Sequence, residues 1–244
     1  MRDLVRARSA AAFDLRVKRQ QTGAFLLRLG RVYRGKKTWG GAHRKWLMSQ
    51  AFAHLEQRIA FEELLGAMDE SKARVARLEK AIEEAVLDWS LAPMVGALRA
   101  MRGIDLVAAT TILAEVGDLG RFRSPRQLMA WLGLVPSEAS TGDRVRRFGI
   151  TKAGNGRARK ALIESAWCYR FPARIGSAKL TRVEAAPQAA RRIAWKAQTR
   201  LTARYRALMR RGKPKTVAVT AVARELAGFI WAMHRSLADE KAIA

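Results

Sequence analysis

The chain has 244 residues, and its 47 Lys and Arg against 21 Asp and Glu give a formal net charge of +26. Such an excess is typical of proteins that bind a polyanion, with nucleic acid as the first candidate and an acidic membrane surface as the second. No run of about 18 uninterrupted apolar residues is present, so we expect no membrane span. The N-terminus lacks the apolar core of a secretory signal, and the single Cys168 excludes an internal disulfide framework, so we expect a cytoplasmic protein.

The charge alternates along the chain. Residues 1–50 carry 13 basic and 2 acidic side chains, whereas residues 51–90 carry 5 basic and 9 acidic ones. The basic excess returns in residues 121–170, with 11 against 3, and in residues 171–220, with 13 against 1. Because acidic segments repel a polyanion, this alternation indicates that the basic segments form binding surfaces.

The acidic segment has a heptad pattern that predicts a long helix over residues 56–88. The pattern fits an amphipathic helix packed on its own domain. It fits equally an antiparallel or intermolecular coiled coil that sets the oligomeric state. The residues at the two heptad positions are Phe61, Met68, Val75 and Ile82, with Leu64, Ser71, Leu78 and Ala85 between them.

Two helices separated by a short turn are predicted after Pro93, the second over Leu106–Val116. This layout resembles a helix-hairpin-helix, in which backbone amides hold a phosphate. The usual Gly-x-Gly of that turn begins here with Gly103 but ends in Asp105, whose carboxylate would oppose a phosphate. A structural turn is therefore the favoured interpretation.

A further helix is predicted over residues 125–132. Ser124 is a good N-cap, Pro125 suits the first helical position, and Gly133 is a typical C-terminal cap. Trp131 lies on the apolar side of this helix, so we interpret it as a core residue and not as a cofactor contact.

Glycines and cations alternate over residues 133–169. Arg144 and Arg146 have the period-two spacing of one face of a strand, and the glycine-punctuated loop 149–156 precedes a helix predicted over residues 157–169. Glycine amides and a lysine at a helix N-terminus can hold a phosphate. The cations that we expect to contact nucleic acid here are Arg144, Arg146, Arg147, Lys152, Arg157 and Arg159.

The same stretch contains a turn with two hydroxyls, Ser140-Thr141-Gly142. Nucleophilic attack on a phosphodiester requires a positioned hydroxyl faced by cations that absorb the phosphate charge. Ser140 has cations nearby in sequence, and Thr141 is the adjacent competitor. The residues alone favour the other interpretation, in which both hydroxyls make local turn hydrogen bonds.

The C-terminal part is basic and helical. This part carries a cationic stripe. Because the net charge is high, we favour contact with a nucleic-acid backbone over a solvated helix face as the interpretation of the stripe. The stripe consists of Arg192, Lys196, Arg200 and Arg204. A buried final helix is predicted over residues 217–233. The three histidines, His43, His54 and His234, are isolated in sequence, and we expect no metal site.

A family resemblance is carried by the runs RFRSPRQLMAWLGLVPSEASTG and GITKAGNGRARKALIESAWCYR. They resemble the C-terminal transposase domain of the IS one-ten family of insertion-sequence transposases, which includes Piv/MooV-type DNA invertases. The resemblance covers nearly the whole chain. It implies a recombinase that bonds a serine to DNA, uses Mg²⁺ on the acidic tetrad of a RuvC-like domain, and selects sites with a structured guide RNA. Matched residue by residue, that serine is Ser140, with Thr141 as the alternative.

The acidic tetrad has no match here, since the first 50 residues contain only Asp3 and Asp14 as acids. Two-metal phosphoryl transfer needs several converging carboxylates. We therefore expect a truncated or split transposase that carries no cofactor and is inactive alone. It would bind DNA and structured guide RNA, and would join a second copy or a RuvC-like partner. The alternative is a non-catalytic nucleic-acid-binding remnant.

The expected fold class is mainly α, in three parts. A basic helical linker over residues 1–55 precedes a coiled-coil helix over residues 56–88. Residues 89–244 form the transposase C-terminal domain, with a helix-hairpin-helix-like element and a glycine-rich basic loop.

Overall fold

The computed structural model describes residues 1–141 and 146–243. Helices dominate, so the mainly α prediction is confirmed. The α-helices of the described residues are α1 (Arg2–Arg28), α2 (Gly41–Met48), α3 (Leu55–Leu87), α4 (Ala92–Arg99), α5 (Leu106–Val116), α6 (Pro125–Trp131), α7 (Gly156–Ala166), α8 (Ser177–Glu184), α9 (Gln188–Arg210) and α10 (Lys215–Ile243). Short 3-10 helices cover Leu119–Arg121 and Trp167–Arg170. Strands β1 (Pro136–Glu138) and β2 (Arg147–Ile150) pair antiparallel.

The chain divides into two compact units. The small unit is Arg6–Ala81, and the large unit is Met1–Val5 with Ile82–Ala244. This grouping differs from the three segments expected from the sequence, because most of α1 and most of α3 fall in the same unit.

In the small unit, α1 and α3 run antiparallel. Arg8 pairs with Glu79, and Asp14 pairs with Arg74 at 3.2 Å, so the partners occur in opposite order along the two helices. Exposed pairs of this kind contribute at most about 1 kcal/mol, so apolar burial dominates the packing. The core residues are Leu15, Leu26, Leu47, Phe61, Leu65 and Met68. The heptad helix therefore packs on its own chain.

The large unit is organised around α10, which contacts α9, α7, α6 and α4. By length and composition α10 is apolar enough to cross a membrane. Val222, Leu226 and Met233, however, are fully buried in the core of the unit. This burial is typical of the central helix of a folded domain. The prediction of a buried final helix is confirmed.

Capping residues in the sequence determine where α5 and α6 begin. Asp105 caps α5, where its carboxylate accepts a hydrogen bond from the amide of Ala108 at 2.8 Å. Ser124 caps α6, with Pro125 at its start and Gly133 at φ +63° just past its end. These are the residues predicted to start and end that helix.

The turn before α5 is a packing element. Gly103 has φ +80°, and a Cβ there would lie 2.2 Å from the carbonyl oxygen of Ser165 in α7. Ile104 is buried, and Asp105 already satisfies an N-terminal amide of α5. The structure thus supports a structural turn over a phosphate clamp.

The strand lies later in the chain than the spacing of Arg144 and Arg146 predicted. β2 begins at Arg147, opposite Glu138, and Arg146 precedes it. The hydroxyl of Ser137 donates to the carbonyl of Gly149 at 3.0 Å, which helps to fix this register. Arg144 lies outside the described residues.

Candidate nucleic-acid interface

Ser140 lies just beyond β1, and its side chain and that of Thr141 are exposed. The backbone there is held by a hydrogen bond from the amide of Ala139 to the carbonyl of Arg146, at 3.0 Å. The Ser140 hydroxyl donates to a carboxylate oxygen of Glu138 at 2.7 Å. The hydroxyl is therefore oriented by a neighbour and accessible from solvent.

This arrangement contains two groups that a nucleophilic site needs, an accessible hydroxyl and a neighbouring carboxylate. A hydroxyl becomes a competent nucleophile when an adjacent base can take its proton in the transition state. Glu138 lies at hydrogen-bonding distance from Ser140 Oγ and is of the right chemical type. The sequence patterns did not single out Glu138, although its spacing of two residues from Ser140 in an extended segment was the available signal.

The glycine-rich loop before α7 is locked onto the end of α6. Gly154 has φ +76°, and a Cβ there would lie 1.8 Å from the carbonyl oxygen of Trp131. At Gly133, with φ +63°, a Cβ would lie 2.1 Å from the carbonyl oxygen of Ala153. The amide of Lys152 donates to the carbonyl of Gly133 at 3.1 Å. Both glycines thus serve close backbone packing.

Asn155 occupies the N-terminus of α7. Its side-chain oxygen accepts hydrogen bonds from the amides of Arg157 and Ala158, each at 3.0 Å. Its side-chain nitrogen donates to Glu115, a buried carboxylate on α5, at 2.7 Å. The amides that would hold a phosphate at a bare helix N-terminus are therefore satisfied by the cap.

The predicted cations of this region fall into two groups. Nη1 of Arg159 donates to the carbonyls of Leu132 and Ala153, at 2.9 and 3.0 Å, and so ties the loop to α6. Arg146, Lys152 and Arg157 are exposed. Arg147 lies in β2, and Arg144 lies outside the described residues.

The stripe on α9 is also divided. Glu225 of α10 pairs with Arg200 at 3.0 Å and with Arg204 at 3.1 Å. Arg192 and Lys196 are exposed and carry no ion pair among residues 1–141 and 146–243.

The exposed face of α9 carries further groups that the sequence patterns did not reveal. Arg191 and Arg206 are exposed, and Trp195 is 47% exposed beside Lys196. The signal lay in the register of the helix, because one side of it is buried and fixes the inward direction. An aromatic ring among exposed cations suits contact with nucleic acid. The buried residues are Ala190, Ala194, Ala197 and Leu201.

Two titratable side chains have perturbed environments. Burial, and secondarily Arg182 and Arg102, lower the pKa of Lys179 to about 8, and its ammonium donates to the carbonyl of Met101. Burial also lowers the pKa of His43. Its Nδ1 accepts a hydrogen bond from the amide of Trp39 at 3.0 Å.

Over the described ranges 1–141 and 146–243, no group of three or more His, Cys, Asp or Glu side chains could hold a metal ion. Two-metal phosphoryl transfer needs several converging carboxylates. The described residues therefore do not fit the Mg²⁺ that the resemblance implies.

Comparison with known proteins places this site in context. Residues 95–179 match the family "Transposase IS116/IS110/IS902". The chain is 56% identical to the putative transposase y4qE of Sinorhizobium fredii over 235 residues, which are 96% of this chain and 57% of that protein. It is 33% identical to the "Probable family 20 transposase" of Pseudomonas aeruginosa, over 67% of this chain and 46% of that protein.

A more distant relative is the transposase for insertion sequence element IS1533 of Leptospira borgpetersenii. It is 26% identical over 220 residues, which are 87% of this chain and 62% of that protein. The chain thus spans about half of the length of the relatives that it matches. The match over residues 95–179 contains Ser140, Glu138 and the locked loop.

Proposed function

Because the chain belongs to the IS116/IS110/IS902 transposase family, we propose that it acts in DNA transposition and presents Ser140 as the nucleophile. The observation that carries the proposal is the exposed Ser140 hydroxyl, which donates to Glu138 at 2.7 Å. Arg146 is exposed and its carbonyl accepts from the Ala139 amide, so it supplies positive charge near Ser140, whereas the exposed Lys152 and Arg157 lie beyond the other end of the hairpin. Thr141 is the alternative nucleophile, since it is exposed beside Ser140.

In the proposed step, Ser140 Oγ attacks the phosphorus of a DNA phosphodiester, and its proton passes to Glu138. An oxygen–phosphorus bond to the serine forms as the bond to one deoxyribose oxygen breaks. That oxygen leaves as a hydroxyl after taking a proton from solvent water. Cations at the phosphate offset the charge that develops on its non-bridging oxygens. The serine–DNA bond preserves the energy of the phosphodiester for rejoining.

The proposal needs components beyond these 244 residues. By family resemblance, an acidic RuvC-like region would bind Mg²⁺, and a structured guide RNA would select the DNA site. A second copy of the chain is a further expected partner. The cations that we propose for nucleic-acid contact are Arg144, Arg146, Arg147, Lys152, Arg157, Arg192 and Lys196, with Arg200 and Arg204, which pair with Glu225, further along α9 and Arg159 as a support for the loop.

The direct test is a covalent adduct with DNA. Labelled element-end DNA is incubated with the chain, Mg²⁺, RNA transcribed from the element ends and the unmatched portion of y4qE supplied as a separate polypeptide, and adducts are resolved on a denaturing gel. We expect an adduct with the wild type and with Thr141→Ala, and none with Ser140→Ala. An adduct that survives Ser140→Ala would exclude this nucleophile.

DNA binding is tested separately by its dependence on salt. Each phosphate contact contributes about −0.9 to the slope of log K against log salt, so several contacts give a steep loss of affinity. Affinity that stays constant between low and moderate salt would contradict the proposed surfaces. Steep salt dependence without an adduct in any arm would favour the non-catalytic nucleic-acid-binding alternative.

A further inference from the structure

A cavity of about 220 Å³ opens in the small unit, between the end of α1, the loop after it and α2. Leu26 and Leu27 of α1 line one side, and Tyr33, Trp39 and Trp46 line the other. The volume is smaller than the roughly 300–1,000 Å³ of pockets for drug-sized ligands. A cavity of this size suits one planar ring system.

The rings around the cavity form a continuous cluster. The ring centroids of His43 and Trp46 are 5.5 Å apart at 17°, and that of Tyr33 lies 5.3 Å from that of Trp46. Trp39 meets His43 edge-on at 4.8 Å. Nδ1 of His43 accepts a hydrogen bond from the Trp39 amide, and burial lowers the pKa of the ring, so both favour an uncharged aromatic surface here.

Trp39 has an unusual backbone conformation and a cationic neighbour. Its φ is +61°, a left-handed conformation that a bulky side chain rarely adopts. The guanidinium of Arg19 lies 5.6 Å from its ring centroid. Nε of that arginine is buried without a hydrogen-bond partner.

The charge around the cavity identifies the kind of ligand. Residues 15–55 contain ten Lys and Arg and no Asp or Glu. Among them, Arg34, Lys36 and Lys37 are exposed on the loop that lines the cavity. An apolar peptide would need no such surroundings, whereas a base flanked by phosphates needs both a stacking surface and cations.

We propose that this aromatic pocket binds one unpaired nucleobase of a single-stranded nucleic acid, while the loop cations contact the adjoining phosphates. The inference rests on the proposed nucleic-acid-binding function, but it concerns a different unit from Ser140. Stacking of a base on an aromatic side chain is worth about 1–3 kcal/mol, which is roughly a 5- to 150-fold change in affinity.

The first experiment measures the affinity of the full chain for a labelled single-stranded 12-mer and for its duplex, by fluorescence anisotropy. Trp39→Gly removes the ring and relieves the left-handed strain. We expect it to weaken single-strand binding by about 5- to 150-fold and to leave duplex binding within twofold. The matched control is Phe13→Ala, an exposed ring of the same unit with Arg16 over it at 4.9 Å, outside the cavity. Equal losses of single-strand affinity in both variants would overturn the proposal that the pocket binds a base.

A second measurement does not depend on a variant that folds. Single strands that carry 5-iodouracil are photocrosslinked to the wild-type chain, and the adducts are mapped by mass spectrometry. Crosslinks to Tyr33, Trp39 or Trp46 are expected, and crosslinks confined to the large unit would overturn the proposal. Deoxyribose and ribose versions of the strand distinguish DNA from RNA as the source of the base. Loss of duplex binding as well as of these crosslinks would instead count against the proposed function itself.

Discussion

The loop 151–156 and the hairpin end at Ser140 and Thr141 are close in sequence and use their polar groups differently. The backbone of the loop is tied to its surroundings, because the Lys152 amide donates to the Gly133 carbonyl, Arg159 donates to the Ala153 carbonyl and Asn155 caps α7. The hairpin end exposes both hydroxyls to solvent, and that of Ser140 donates to Glu138. The two regions thus combine a backbone fixed by close packing with hydroxyls that stay accessible to solvent.

The largest effect that we expect comes from Gly154→Ala. Its Cβ would lie 1.8 Å from the carbonyl oxygen of Trp131 at a φ of +76°, so the backbone of the loop must move. We expect a loss of at least about 3 kcal/mol in the free energy of unfolding, measured by urea titration. The matched control is Gly149→Ala, where a Cβ meets nothing within 4 Å. If both variants lose the same small amount of unfolding free energy, the close approach of Gly154 to Trp131 does not hold the loop in place.

How far the sequence could predict these two regions depends on the range of the interactions. Ser124, Pro125 and Gly133 act within one helix, and the bounds that they predicted for α6 agree with the structure to within one residue. The lock is long-range: Gly154 needs the carbonyl of Trp131, and no local pattern shows that approach. In the sequence alone, the glycines that precede α7 therefore resemble a phosphate-binding loop.

The small unit illustrates the same limit. The heptad predicted the α3 helix from its own periodicity, whereas its packing against α1 depends on residues some 60 positions away, such as Asp14 and Arg74. The contacts of the His43 ring with Tyr33 and Trp39 likewise depend on how the segments pack. Ser140 was found through family resemblance, since local chemistry favoured a simple turn.

Asn155→Ala should give the next largest effect. It removes the cap of α7, worth about 1 kcal/mol, and one hydrogen bond to the buried Glu115 carboxylate, for a total loss of about 2 kcal/mol. Ser124→Ala is the matched control, because it removes a cap whose side chain accepts from the amide of Gln127 in an exposed position. Urea unfolding should show a loss about twice as large for Asn155→Ala. Equal losses would mean that the contact with Glu115 adds nothing.

The two arginines of α7 provide a smaller but sharper comparison. Arg159→Ala should cost about 1–2 kcal/mol of stability, since it removes two hydrogen bonds that hold the loop, and should leave the salt dependence of DNA binding unchanged. The exposed Arg157→Ala should keep its stability and reduce the salt slope by about 1. Thermal melts and salt titrations check both. A reversed outcome would make Arg159 the phosphate contact and Arg157 the support.

The smallest effect on stability should come from Glu138→Gln, within about 0.5 kcal/mol, because the side chain lies at an exposed hairpin end. The amide can still accept the hydrogen bond of Ser140 but is a far weaker base. If Glu138 takes the proton, adduct formation should slow by about 10²–10⁴-fold while DNA affinity holds or rises. The charge-matched control is Glu164→Gln, a carboxylate on α7 that pairs with Lys160 at 3.7 Å. Equal adduct rates in the two variants would reduce Glu138 to a turn residue and would place the proton acceptor outside the hairpin.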